Sequence, residues 1–127
     1  MTPKQVIDYC LSKSGTYLDY PFGPDVSVIK VGKTEEKPGR IFAQVFALKG
    51  KDTVTLNCDM MTGQLYRQLF PDTVVRGYHC PPVQQPYFNT LPLDNAAPDE
   101  MLVEMIEHSY KTVVRKLPKY IQKELSL

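Results

Sequence analysis

The sequence predicts an α+β domain: an antiparallel sheet of about five or six strands packed against an N-terminal helix, a middle helix and a long C-terminal helix. Amphipathic patterns with a 3.6-residue period stand near the two ends of the chain, and β-rich runs separated by turn residues fill most of the interval. Within one run, apolar Val54, Leu56 and Cys58 alternate with polar Thr53, Thr55 and Asn57, which requires a sheet with one buried face and one that is wet or covered by polar groups. At 127 residues folding buries roughly two-thirds of the chain's surface, enough for one core, so the expected organisation is one domain over 1–127.

The elements follow in order. Thr2 caps a helix that starts at Pro3 and runs to residue 13, with Val6, Ile7, Cys10 and Leu11 on one stripe and Gly15 as the stop. Residues 16–25, with two prolines and a glycine, read as an aromatic-rich loop. Residues 26–31 and 41–48 are strands joined by a polar, charged tip, and a turn at Lys49-Gly50 leads into the strand 53–58. Asp59 caps a second helix to residue 70, whose apolar row is Met61, Leu65 and Leu69; Gly63 costs it about 1 kcal/mol relative to alanine, so it depends on packing. Two more extended pieces, 74–79 and 87–93, flank a proline-rich segment, and Pro92 makes the second an edge strand or a strand end. From 98 to 117, Leu102, Met105, Ile106, Ser109, Tyr110, Val113, Val114 and Leu117 form a full helical stripe, with acids crowding its first half and bases its second, as the helix dipole favours. A short final turn over 120–125 packs back on the domain.

Composition narrows the function. No run approaches the roughly 18 apolar residues of a bilayer span, and residues 1–5 lack the pattern of a signal peptide. Cys10, Cys58 and Cys80 are odd in number and form no CxxC pair, so free thiols in a reducing cytoplasm are expected. His79-Cys80 with Cys58-Asp59 is a weak zinc set, because structural zinc draws its cysteines from close pairs. Adjacent strand residues point to opposite faces, so His79 does not activate Cys80. His108 with Glu104 is a helix-surface pair. Phosphate loops, nucleophile elbows and H-E-x-x-H helices are absent from the sequence. The expectation is a non-enzymatic chain with no metal and no cofactor.

Net charge is only +1, so any polyanion surface has to be local. Residues 30–51 carry six basic side chains against Glu35 and Glu36, a local balance of +4. Lysines on a projecting hairpin suit phosphates, although lysine also serves simply to solubilise loops and blunt sheet edges.

Tyr20-Pro21-Phe22-Gly23, Val28-Ile29-Lys30-Val31-Gly32, Leu56-Asn57-Cys58-Asp59, Gly77-Tyr78-His79, Phe88-Asn89-Thr90, Leu93-Asp94, His108-Ser109-Tyr110, Val113-Val114 and Lys116-Leu117-Pro118 run in order over nearly the whole chain. This ordered set resembles the MmcQ/YjbR family of small bacterial proteins. The resemblance implies a fold similar to the frataxin homologue CyaY and a "double wing" arrangement described as DNA-binding from its shape; it carries over no catalytic residues. The chain departs from the family in Phe88, where tryptophan is common, and in a longer segment over 32–40. An iron site does not follow, because the first helix carries Asp8 rather than an acidic ridge.

The lead expectation is a cytoplasmic, monomeric, DNA-binding protein that contacts phosphates through Lys30, Lys33, Lys37, Arg40, Lys49 and Lys51, with Arg76 and His79 as further candidates. The alternative is a protein-interaction or adaptor domain that docks a protein partner on a sheet edge or on the aromatic residues Tyr17, Tyr20, Phe22, Tyr87 and Phe88. A small-ligand site is the third, should Tyr78, His79 and Asn89 converge in a polar pocket. No membrane association is expected.

Overall fold

The computed structural model describes residues 1–78 and 80–125. Its elements are α1 (Pro3–Leu11), β1 (Thr16–Asp19), β2 (Ser27–Val31), β3 (Arg40–Leu48), β4 (Lys51–Asn57), α2 (Met60–Leu69), β5 (Val75–Arg76), a 3-10 turn (Gln85–Tyr87), β6 (Phe88–Pro92), α3 (Asp99–Val114) and α4 (Lys119–Leu125). The six strands form one antiparallel sheet in the order β1-β2-β3-β4-β6-β5. Helices α1, α2 and α3 cover one face, where Val6, Ile29, Phe42, Leu56, Leu91 and Ile106 are among the core residues.

Local chemistry explains most boundaries. Thr2 and Gln5 form a reciprocal capping box, the Gln5 N–H donating to Thr2 Oγ1 at 3.1 Å and the Thr2 N–H to Gln5 Oε1 at 2.8 Å. Asp59 caps α2 by accepting the Thr62 N–H at 2.7 Å. Pro92 is the last residue of β6, a strand end. The β3–β4 turn has positive φ at both Lys49 (51°) and Gly50 (80°), the two-residue geometry that matches strand twist.

Three expectations need correction. Residues 16–19 are not loop: Thr16–Asp19 pairs with β2 and forms the sheet edge, which a four-residue run hidden among turn residues does not announce. Of the extended piece expected over 74–79, the described residues 74–78 give only the two-residue strand β5, and His79 lies outside the described residues. Helix α2 is also rotated from the orientation its apolar row suggests. Gly63 and Tyr66 face inward, while Met61, Leu65 and Leu69 are 82%, 52% and 54% exposed. The cause is close approach: a Cβ on Gly63 would stand 2.4 Å from Cys58 Sγ, so only glycine lets the helix settle on this part of the sheet.

The strand β3 carries one extra residue. Ile29 pairs with Ala43 and Lys30 with Ile41, leaving Phe42 as a bulge. Phe42 and Ala43 therefore both enter the core, and beyond them the alternation is reset, so that Val45 faces the helices while Gln44 and Phe46 face away from them. Buried Ser109 on α3 secures this point, its hydroxyl donating to Phe42 O at 2.5 Å and accepting the Asn57 N–H at 2.9 Å. Ser109→Ala strands a buried carbonyl and a half-buried amide together and is expected to cost about 2 kcal/mol in urea unfolding; a loss below about 0.5 kcal/mol would show that the clasp is dispensable.

A second prediction concerns pH. The Asp59 N–H donates to His108 Nε2 at 3.1 Å, a bond that needs the neutral imidazole. Burial, helped by Lys111 and Arg115, holds His108 below the ordinary imidazole value despite the Asp59 carboxylate 3.3 Å away. The unfolded chain then takes up this proton more readily than the folded one. His108's contribution to stability is complete above about pH 6.5 and is lost as pH falls from there through the depressed folded value. Denaturant titrations across this window are expected to flatten in His108→Gln; an unchanged slope would contradict the assignment.

Candidate nucleic-acid interface

The seven candidate residues that the structure describes do not share one surface. Lys30 is committed to a salt bridge, its ammonium 2.8 Å from Asp19 Oδ2, and this bond holds the Asp19 carboxyl below its usual range. Lys33 lies over the Tyr17 ring at 5.6 Å and shares a broad concavity with Glu35, Glu36 and Glu124. Lys49 and Lys51 are exposed at the β3–β4 turn, while Lys37 and Arg40 stand at the opposite end of β3. Nine residues of strand place these two pairs about 27 Å apart. Arg76 lies on β5, at the other edge of the sheet from β1. His79 lies outside the described residues.

One cluster does form. Lys37 and Arg40 line a concavity of about 430 Å³ together with Lys116 from the end of α3, and Glu36 is the carboxylate among them. All three cations are exposed, and none has an ion-pair partner among the described residues.

The chain builds this rim from its turns. Gly32, at φ 86°, lies against Leu117, where a Cβ would meet a leucine methyl at 2.6 Å, so the start of the β2–β3 loop rests on the C-terminal end of α3. Gly39 closes the other end, its N–H donating to the Tyr17 hydroxyl at 2.8 Å in a space that admits no side chain. Between them Thr34 and Lys37 tie a turn, with Thr34 N–H on Lys37 O at 2.9 Å and Lys37 N–H on Thr34 Oγ1 at 3.0 Å. Gln122 then donates to the carbonyls of Leu117 and Arg115 at 2.7 and 3.2 Å, holding the chain reversal beside Lys116. Lys116 is one of the C-terminal cations that sequence alone could not join to the hairpin, because the contact between Gly32 and Leu117 spans most of the chain and leaves no local signal.

The other constellations separate as well. Asn89 is buried on the helix side, accepting from Arg67 Nη1 at 2.6 Å and donating to Gly63 O at 3.2 Å, whereas Tyr78 stacks on Phe46 across the sheet. These two side chains do not meet. Among the described residues no group of three or more His, Cys, Asp or Glu side chains is arranged to hold a metal. Burial pushes the Cys58 thiol up to about 11 and raises Cys80, so neither sulfur is poised as a thiolate near neutral pH. No helix among the described residues is long and apolar enough to cross a membrane.

Comparison with known proteins places this geometry. The YjbR family model matches residues 11–112. The protein from Escherichia coli O157:H7 described as "Uncharacterized protein YbdF" is 29% identical over 108 residues, covering 85% of this chain and 80% of its own. The crystal structure of Deinococcus radiodurans protein DR2400, with a domain described as DUF419, is similar with a TM-score of 0.85 and 28% identity over 99% of this chain and 91% of that one. A Pseudomonas syringae protein shares the fold, with a TM-score of 0.69 and 19% identity over 89% of this chain and 99% of that one. The chain belongs to the YjbR family.

Proposed function

We propose that this chain works by binding and not by chemistry, gripping a polyanion through the rim of Lys37, Arg40 and Lys116. DNA is the polyanion that the resemblance implies. The supporting observation is the convergence of three cations, unpaired among the described residues and from parts of the chain far apart in sequence, on one concavity where Glu36 is the one carboxylate among the described lining residues. Cations gathered in this way release counterions on meeting phosphates, whereas Lys30, already held by Asp19, gains little. The free thiols fit a reducing compartment, and the reading is of a cytoplasmic protein acting without a cofactor.

The test is fluorescence anisotropy of labelled single- and double-stranded oligonucleotides at low salt. Three phosphate contacts give a slope of log K against log salt near −2.7, about −0.9 for each contact. Reversing Lys37, Arg40 and Lys116 to glutamate is expected to abolish binding, while Lys49→Glu with Lys51→Glu leaves it within about threefold, because charges this distant are screened. No binding at low salt, or equal losses from both sets, would end the proposal.

A protein partner is a second reading, favoured by the outward apolar row Met61, Leu65 and Leu69 on α2. The chain is expected to sediment as a monomer. If this row instead pairs two copies, sedimentation velocity will show a dimer that Leu65→Glu dissolves.

A further inference from the structure

The sheet face turned away from the helices carries a hollow of about 540 Å³ that the cationic rim does not include. Strand β3, through the reset alternation that follows Phe42, sends Gln44, Phe46 and Leu48 into it, and β4 adds Thr55, the cross-strand partner of Gln44. The loop before β2 contributes Phe22, which is 63% exposed, and the segment after β5 contributes Tyr78 and Cys80. Phe46 and Tyr78 lie nearly parallel, their ring centroids 6.5 Å apart with 23° between planes.

Among the described residues the lining includes no charged side chain. An anion or cation entering it would lose hydration with no countercharge to replace it, so the hollow selects against ions. The threonine hydroxyl among its described lining residues, that of Thr55, is already engaged: Thr55 Oγ1 and Thr90 Oγ1 share a bond of 2.8 Å, and Thr90 Oγ1 also accepts the Tyr78 N–H at 3.0 Å. The Gln44 side-chain amide, half-buried in the wall, makes no hydrogen bond with the described residues. It presents one donor and one acceptor side by side. A volume of this size with aromatic walls and one unspent polar group has the make-up of a ligand site.

We propose that this hollow binds a flat, uncharged heteroaromatic ring whose edge carries an adjacent hydrogen-bond donor and acceptor, read by the Gln44 amide and covered by the Phe46 and Tyr78 rings. Adenine is the simplest probe, since its amino group and neighbouring ring nitrogen pair with a glutamine amide at two points. The ring could belong to a free small molecule or to a base in a single strand, and the chemistry at Gln44 is the same.

The test is a titration of the ¹⁵N-labelled full chain with adenine, with adenosine and with a short deoxyadenylate oligonucleotide. Adenine is expected to shift the backbone amides of Gln44, Phe46, Thr55 and Tyr78 with a dissociation constant on the order of a millimolar, reasonable for a ligand this small. Gln44→Leu weakens it about tenfold. The wild-type chain supplies a second readout that does not depend on how that variant folds. Cys80 lines the hollow while Cys10 and Cys58 are buried, so saturating adenine slows maleimide labelling of Cys80 several-fold. Shifts from the oligonucleotide at the same amides assign the ring to a strand, and their absence alongside adenosine shifts assigns it to a free molecule. The rim charge reversals leave the adenine shifts intact, so this proposal and the polyanion proposal fail separately. No shift at about 10 mM adenine, shifts elsewhere only, or an unchanged response in Gln44→Leu with no protection of Cys80 overturns it.

Discussion

The bulge at Phe42 is the constraint on which the rest of the structure depends. Strict alternation along β3 would turn Gln44 and Phe46 toward the helices whenever Phe42 pointed there, filling the core with an amide. One inserted residue lets Phe42 and Ala43 both pack inward and resets the strand, so that the polar and aromatic side chains beyond them emerge on the opposite face. Such an insertion leaves backbone groups without ladder partners. Ser109 meets that need from α3 with a single hydroxyl that serves both β3 and β4.

That arrangement divides the molecule's exterior. One end of β3 meets the β2–β3 loop and the close of α3, where Gly32 seats the loop on Leu117 and three cations surround a concavity. The other half of the strand forms a hollow with no charge among the described residues of its lining. The unpaired cations and the uncharged hollow thus fall on different parts of one strand. Because the chain's net charge is only +1, a polyanion would find attraction only where cations are left unpaired, and Lys30 shows how readily a nearby carboxylate removes one from play.

Much of this was legible in the sequence, and the failures have physical causes. The α3 stripe, the caps at Thr2 and Asp59 and the stop at Pro92 are local features, and each stands where its chemistry requires. Residues 41–48 are apolar at almost every position, so neither the bulge nor the identity of each face can be read from their periodicity. On α2, hydrophobicity pointed to Met61 and Leu65, but tertiary packing chose the residue with no side chain, Gly63. The basic stretch misled because a linear count ignores distance: the strand lying between Arg40 and Lys49 was itself recognisable, and its length already implied that one hairpin tip could not gather all six cations. The family resemblance held over residues 11–112 and supplied the fold, while the position of the cations came only from three-dimensional packing.

The central claim, that polyanion binding is confined to one end of β3, is tested most directly by mapping backbone amide shifts on a ¹⁵N-labelled chain as a short DNA duplex is added at low salt. Changes are expected only in residues 32–41 and 115–122, around Lys37, Arg40 and Lys116, with the β3–β4 turn at Lys49 and Lys51 silent. Shifts centred on that turn, or spread evenly along β3, would contradict it.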